Sequence, residues 1–82
     1  MQTVDPDDPM PLYQQTAAIL RGRIEAGQLT RRMPSIKDVE HEFGVAQGTA
    51  ERAFQVLKDE GLVRVVQGRG HWVVPAADRP GA

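Results

Sequence analysis

Leu12, Thr16, Leu20 and Ile24 recur at every fourth position, and Tyr13, Ala17 and Ile19 widen the stripe they make. That spacing predicts an amphipathic helix over about residues 11–26. Pro11 suits its first turn and Gly27 its C-terminal stop. In the connector that follows, residues 28–33, Leu29 and Met33 are expected to tuck into the core. A second helix is expected from Ser35. The run Pro34-Ser35-Ile36-Lys37-Asp38 offers an N-cap serine with an acid three residues on, close to a capping box. Ile36, Val39 and Phe43 supply its apolar side, and Gly44 ends it. A third helix is expected over about residues 47–60, with Ala50, Ala53, Phe54 and Leu57 as its buried stripe and Gly61 as its stop.

Two short amphipathic helices joined by Gly44-Val45-Ala46 have the form of a helix-turn-helix. The pattern then changes. Residues 62–66 and 71–74 are β-branched and aromatic runs, and Gln67-Gly68-Arg69-Gly70 separates them, which predicts a β-hairpin with a glycine-rich tip. Helix, connector, helix-turn-helix and hairpin, in that order, predict an α+β winged helix-turn-helix over residues 11–75: three helices and a C-terminal β-hairpin wing. Residues 1–10, an acidic arm, and the tail 76–82 have no periodicity and are expected to be mobile ends.

Composition narrows the function. A chain of 82 residues supports one modest core, and a deep catalytic cleft is not expected in it. No apolar run approaches the roughly 18 residues of a membrane span, and the acidic start is unlike a secretory or transit signal. With no cysteine there is no disulfide framework, zinc-thiolate site or thiol nucleophile, so a reducing cytoplasm is the expected location. The net charge is −1, but residues 11–75 carry nine Lys/Arg against seven Asp/Glu while Asp5, Asp7 and Asp8 make the arm acidic. The middle of the chain can therefore support a local basic patch.

On the third helix, Gly48, Arg52 and Gln55 fall opposite the buried stripe at about 100° per residue, with Thr49 and Glu51 flanking them. Glycine costs about 1 kcal/mol against alanine in a helix, a cost that makes sense where a ligand approaches the backbone. Gln47 can pair with adenine, and Arg52 with guanine or a phosphate. At the hairpin tip the turn needs glycine but not arginine, so Arg69 can serve a DNA groove or a phosphate. Trp72 is expected in the core against the first helix. His41 and His71 lack the partners of a metal site. Asp38, Glu40 and Glu42 fit a solvated charged face rather than acid–base chemistry. No metal, cofactor or catalytic set is expected, and the chain is not expected to be an enzyme.

Pro11-Leu12-Tyr13, Pro34-Ser35, Phe43-Gly44-Val45, Gly48-Thr49, Arg52-Ala53, Glu60-Gly61-Leu62-Val63 and Gln67-Gly68-Arg69-Gly70 together resemble the DNA-binding domain of GntR-family regulators. The opening Pro-Leu-Tyr is similar to the HutC and YtrA-like branches. The resemblance implies that residues 47–60 form the recognition helix in the major groove and that the wing, about residues 67–70, lies at the minor groove. It implies DNA contacts from Ser35 and Lys37, from Gln47, Gly48, Thr49 and Arg52, and from Gln67, Gly68 and Arg69, and Glu51 is counted with them as a candidate site residue. Three positions depart from the family pattern. Ala46 stands where a capping Ser or Thr is common, and Gln47 and Glu51 stand where Arg is frequent. Glu51 would repel phosphates unless it accepts from a cytosine amino group.

The expected function is sequence-specific binding of double-stranded DNA as a bacterial transcription regulator, a repressor among the options. The alternative is a winged-helix module for protein–protein contact with weak or no DNA binding. The C-terminal effector-binding and dimerisation domain usual in the family is not within this chain, which is either an excised domain or a small stand-alone protein, and no small-molecule effector site is expected in this chain. The free protein is expected to be a monomer that pairs only on DNA. No membrane partner is expected.

Overall fold

The computed structural model describes residues 3–80. Its elements are α1 (Leu12–Glu25), α2 (Ile36–Phe43), α3 (Gln47–Asp59), β1 (Val63–Val66), β2 (Gly70–Val73) and a single 3₁₀ turn, Ala76–Asp78. Three helices and an antiparallel hairpin make the winged helix that the hydrophobic pattern predicts.

Local chemistry explains the boundaries. Pro11 stands as the N-cap of α1, and Gly27 turns the chain away with φ of 79°. At α2 the capping box is complete: the Ser35 hydroxyl accepts from the Asp38 N–H at 3.0 Å and the Asp38 carboxylate accepts from the Ser35 N–H at 3.3 Å. Asp38 is thereby assigned a structural task. Gly44 closes α2 in the left-handed region, φ 65°, which glycine enters without a Cβ penalty. The N-cap of α3 is Ala46, which has no side-chain oxygen to satisfy the first N–H groups.

The core forms where α1 and α2 both lie against α3. Leu20, Val39, Phe54 and Leu57 are fully buried there, and Ala17, Ala50 and Ala53 let the helices approach closely. Each large side chain removed from water contributes about 1.5–3 kcal/mol. Thr16 is the buried polar residue of the core; its hydroxyl donates to the Leu12 carbonyl at 2.8 Å, one turn back. Met33 is buried and Leu29 packs against the cluster. Two bidentate pairs, Arg21–Glu60 and Arg23–Glu42, tie α1 to the end of α3 and to α2. Both are partly exposed and add little stability of their own.

The wing pairs Val63 with Val73, Arg64 with Trp72, Val65 with His71 and Val66 with Gly70. Strand residues alternate between faces, so Val63 and Val73 pass into the core while Trp72 takes the opposite face. The expectation that Trp72 joins the core against α1 is therefore corrected. It is half-buried, bridged to Arg32, and its indole N–H donates to the Arg69 carbonyl at 3.0 Å. The connector also supplies an edge that the sequence pattern does not predict. The Met33 N–H donates to the His71 carbonyl at 3.0 Å and the Val73 N–H to the Arg31 carbonyl at 2.6 Å, so residues 31–33 line the free side of β2.

Of the two expected mobile ends, residues 1–2 and 81–82 lie outside the described residues. Within the arm, the Gln15 side chain accepts from the Asp5 N–H at 2.7 Å and donates to the carbonyls of Asp5 and Met10. Val4 packs against the core cluster. In the tail, Arg79 donates to the Val74 carbonyl at 3.0 Å, and Pro80 covers Gly61 so closely that a Cβ there would overlap its ring.

Candidate nucleic-acid interface

The start of α2, one edge of α3 and the inner face of β2 enclose an open groove of about 380 Å³. Its walls are Ile36 from α2, Gln47, Glu51, Phe54, Gln55 and Lys58 from α3, and His71 from the wing. The α3 residues are the product of helical spacing. Gln47, Glu51 and Gln55 follow one another at i, i+4 and i+8, so they form one nearly straight edge. His71 enters because it shares a strand face with Val73. Its ring meets Phe54 edge-on, with centroids 4.7 Å apart. Burial pushes the His71 imidazole below the usual histidine range, and the charge of Lys58 lowers it further.

Of the residues singled out from sequence, the groove brings Gln47 and Glu51 together. Both are exposed, and among the described residues neither side chain has a hydrogen-bond or ion-pair partner. Ser35 and Lys37 stand just outside, beside Ile36 on the first turn of α2; the Ser35 oxygen accepts the capping bond, while the Lys37 ammonium makes no ion pair among the described residues. Gly48 opens the first turn of α3, and a Cβ built on it would meet nothing within 4 Å. Packing inside the chain therefore does not require glycine there. Thr49 is half-buried beside it.

Arg52 is placed differently. Its guanidinium lies 4.0 Å from the centroid of the Tyr13 ring, on the flank of α3 that meets the start of α1 and not among the groove walls. Gln67, Gly68 and Arg69 form the exposed wing tip. Gly68 and Gly70 take φ of 77° and 81°, and the Arg69 backbone is held from both sides, its N–H donating to the Val66 carbonyl at 2.9 Å and its carbonyl accepting from Trp72. The tip is thus a fixed platform for one free cation.

Gln55, Lys58 and His71 complete the groove, and sequence reasoning did not assign them to the site. The signal for Gln55 and Lys58 was present, since both continue the edge begun by Gln47 and Glu51. His71 required the hairpin register. Among the described residues no helix is long and apolar enough to cross a membrane.

Residues 12–73 match the model of the family described as bacterial regulatory proteins, gntR family. The HTH-type transcriptional repressor NagR of Bacillus subtilis is 32% identical over 72 residues, a stretch covering 85% of this chain. The chain spans about 30% of the length of the curated relatives it matches. YtrA from Sulfolobus acidocaldarius, a GntR-family transcription factor, superposes with a TM-score of 0.76 at 33% identity, over 85% of this chain and 76% of that one. AraR(DBD), solved in complex with operator ORX1, superposes with a TM-score of 0.80 at 25% identity, over 90% of this chain and 96% of that one. With the family model covering all three helices and the wing, this chain belongs to the gntR family of bacterial regulatory proteins.

Proposed function

We propose that this chain binds double-stranded DNA in a sequence-specific manner and so regulates transcription in a bacterial cytoplasm, with no catalytic activity of its own. On this reading α3 enters the major groove with its Gln47–Gln55 edge toward the bases, and the wing tip carries Arg69 to the minor groove or a neighbouring phosphate. The observation that carries the reading is the arrangement around the α3 groove. Among the described residues the Gln47 and Glu51 side chains in its wall have no partner, and Lys37 and Arg69, which make no ion pair there, stand outside it on the neighbouring elements. Base-reading groups flanked by phosphate-binding ones are what a major-groove reader needs. The superposition on AraR(DBD), solved with its operator, supports the same placement.

The test is binding of a selected and a random-sequence labelled duplex by the wild type and by three variants, Gln47→Ala, Lys37→Ala and Arg69→Ala. Loss of phosphate-directed cations should weaken binding to every duplex, whereas Gln47→Ala should weaken only the preferred sequences. Binding that none of the three changes would place the interface elsewhere. No measurable duplex binding would favour a protein partner for this face.

A further inference from the structure

We infer that Glu51 is a base-reading residue and that the base it reads is cytosine. The inference rests on the DNA-binding reading above and names part of the sequence that this face selects.

The carboxylate of Glu51 lies in the wall of the α3 groove between Gln47 and Gln55, about 6 Å along the helix from each. It is exposed and has no hydrogen-bond or ion-pair partner among the described residues. No ion pair or cap employs it, unlike Glu42 with Arg23, Glu60 with Arg21 or Asp38 with Ser35. A bare carboxylate on a surface that approaches a polyanion is repelled by it. Only a hydrogen-bond donor on the DNA can offset that repulsion, because an ionised carboxylate has acceptors and nothing else.

The four bases differ sharply as partners in the major groove. Guanine presents two acceptors, N7 and O6, and thymine presents the acceptor O4 beside a methyl group. Both oppose a carboxylate. Adenine offers the N6 amino donor, but with the N7 acceptor next to it on the same base. Cytosine alone offers a donor, its N4 amino group, with no acceptor on its own major-groove edge. Adenine is better matched by Gln47, whose amide supplies one donor and one acceptor. The Gln55 amide commits one N–H to the Asp59 carboxylate at 2.9 Å, which leaves its carbonyl oxygen and its second N–H for a base. The Glu51 carboxylate thus sits between two amides, and the cation of the groove wall, Lys58, lies at the far end of the edge.

The experiment starts from a randomised duplex pool, from which the tightest sequence is selected with the wild-type chain. Each cytosine of that duplex is then replaced in turn by 2-pyrimidinone, which lacks the N4 amino group. One replacement should weaken wild-type binding roughly ten- to hundredfold, the range for a hydrogen bond to a charged group. Glu51→Ala should weaken binding to the unmodified duplex and be indifferent to that same replacement, since the two changes remove one interaction. Alanine is the best helix former and Glu51 is exposed, so the variant keeps the fold, which its helical circular dichroism verifies. If every cytosine replacement affects wild type and Glu51→Ala alike, or if the selected duplex has no cytosine that matters, the assignment is wrong while DNA binding stands. If no duplex is enriched, the DNA-binding reading fails, and the assignment falls with it.

Discussion

The guanidinium of Arg52 rests over the ring of Tyr13, 4.0 Å from its centroid, and so joins the middle of α3 to the first turn of α1. A helical wheel of α3 alone points Arg52 straight out to solvent. Packing of α1 changes that, because Tyr13 arrives on the same flank. Arg52 is therefore a positioned cation on the flank of α3, outside the groove walled by Gln47, Glu51 and Gln55.

On the proposed reading, Arg52 contacts a phosphate and is held in place by the Tyr13 ring. Arg52→Ala should weaken binding to preferred and random duplexes by the same factor. Tyr13→Phe should be nearly silent, since the ring face is kept. Tyr13→Leu should cost about 0.5–1 kcal/mol of stability, the value of an exposed cation–π contact, and lower duplex affinity in the same sequence-independent manner. Affinity ratios between a selected and a scrambled duplex check the point. A changed ratio in Arg52→Ala would mean that Arg52 reads a base after all.

Gly48 separates stability from function. A Cβ there meets nothing within 4 Å, and the residue is helical. Gly48→Ala should raise folding stability, by less than the roughly 1 kcal/mol of a helix-interior glycine because Gly48 lies in the first turn. On the proposed interface the same methyl would stand between the helix N-terminus and the DNA backbone, so affinity should fall. Chemical denaturation and duplex binding measured on one preparation give both numbers. Higher stability with unchanged affinity would remove Gly48 from the interface.

Much of this was legible in the sequence, and the exceptions share a cause. The three helices followed from the apolar spacing of Leu20, Ile24, Val39, Phe43, Phe54 and Leu57, which is a local property. The capping box at Ser35 and Asp38 needed only four residues of context. The wing was visible from its β-branched runs around Gly68. What escaped depended on partners distant along the chain. The pairing of residues 31–33 with β2 joins segments some forty residues apart, and three residues carry no periodicity. Trp72 was misplaced because hydrophobicity alone puts it inward, whereas the Val63–Val73 pairing fixes the register and turns Trp72 outward. The same register brings His71 into the groove, and the packing of Tyr13 on α3 takes Arg52 out of it.

His71 gives the fold a pH dependence of definite sign. Its imidazole is held below the usual range, first by burial and then by Lys58. In the unfolded chain it titrates near the ordinary value of about 6.5. On acidification the unfolded state takes up the proton first, so stability from this group is complete above about pH 6.5 and declines as pH falls through the lowered folded value. Denaturant midpoints at about pH 7.5 and about pH 5 should show the loss, and His71→Leu should reduce it. An equal loss in His71→Leu and wild type would assign the dependence to other groups.

On the proposed reading α2, α3 and the wing tip bind the phosphate backbone of duplex DNA, and the salt dependence of binding reports that contact. On this reading Lys37, Arg52 and Arg69 neutralise phosphates, and each neutralised phosphate contributes about −0.9 to the slope of log affinity against log salt concentration. The slope for the wild type should be about −3, and each single alanine variant should bring it about one unit nearer zero. A wild-type slope near zero, or one that all three variants leave unchanged, would contradict the account.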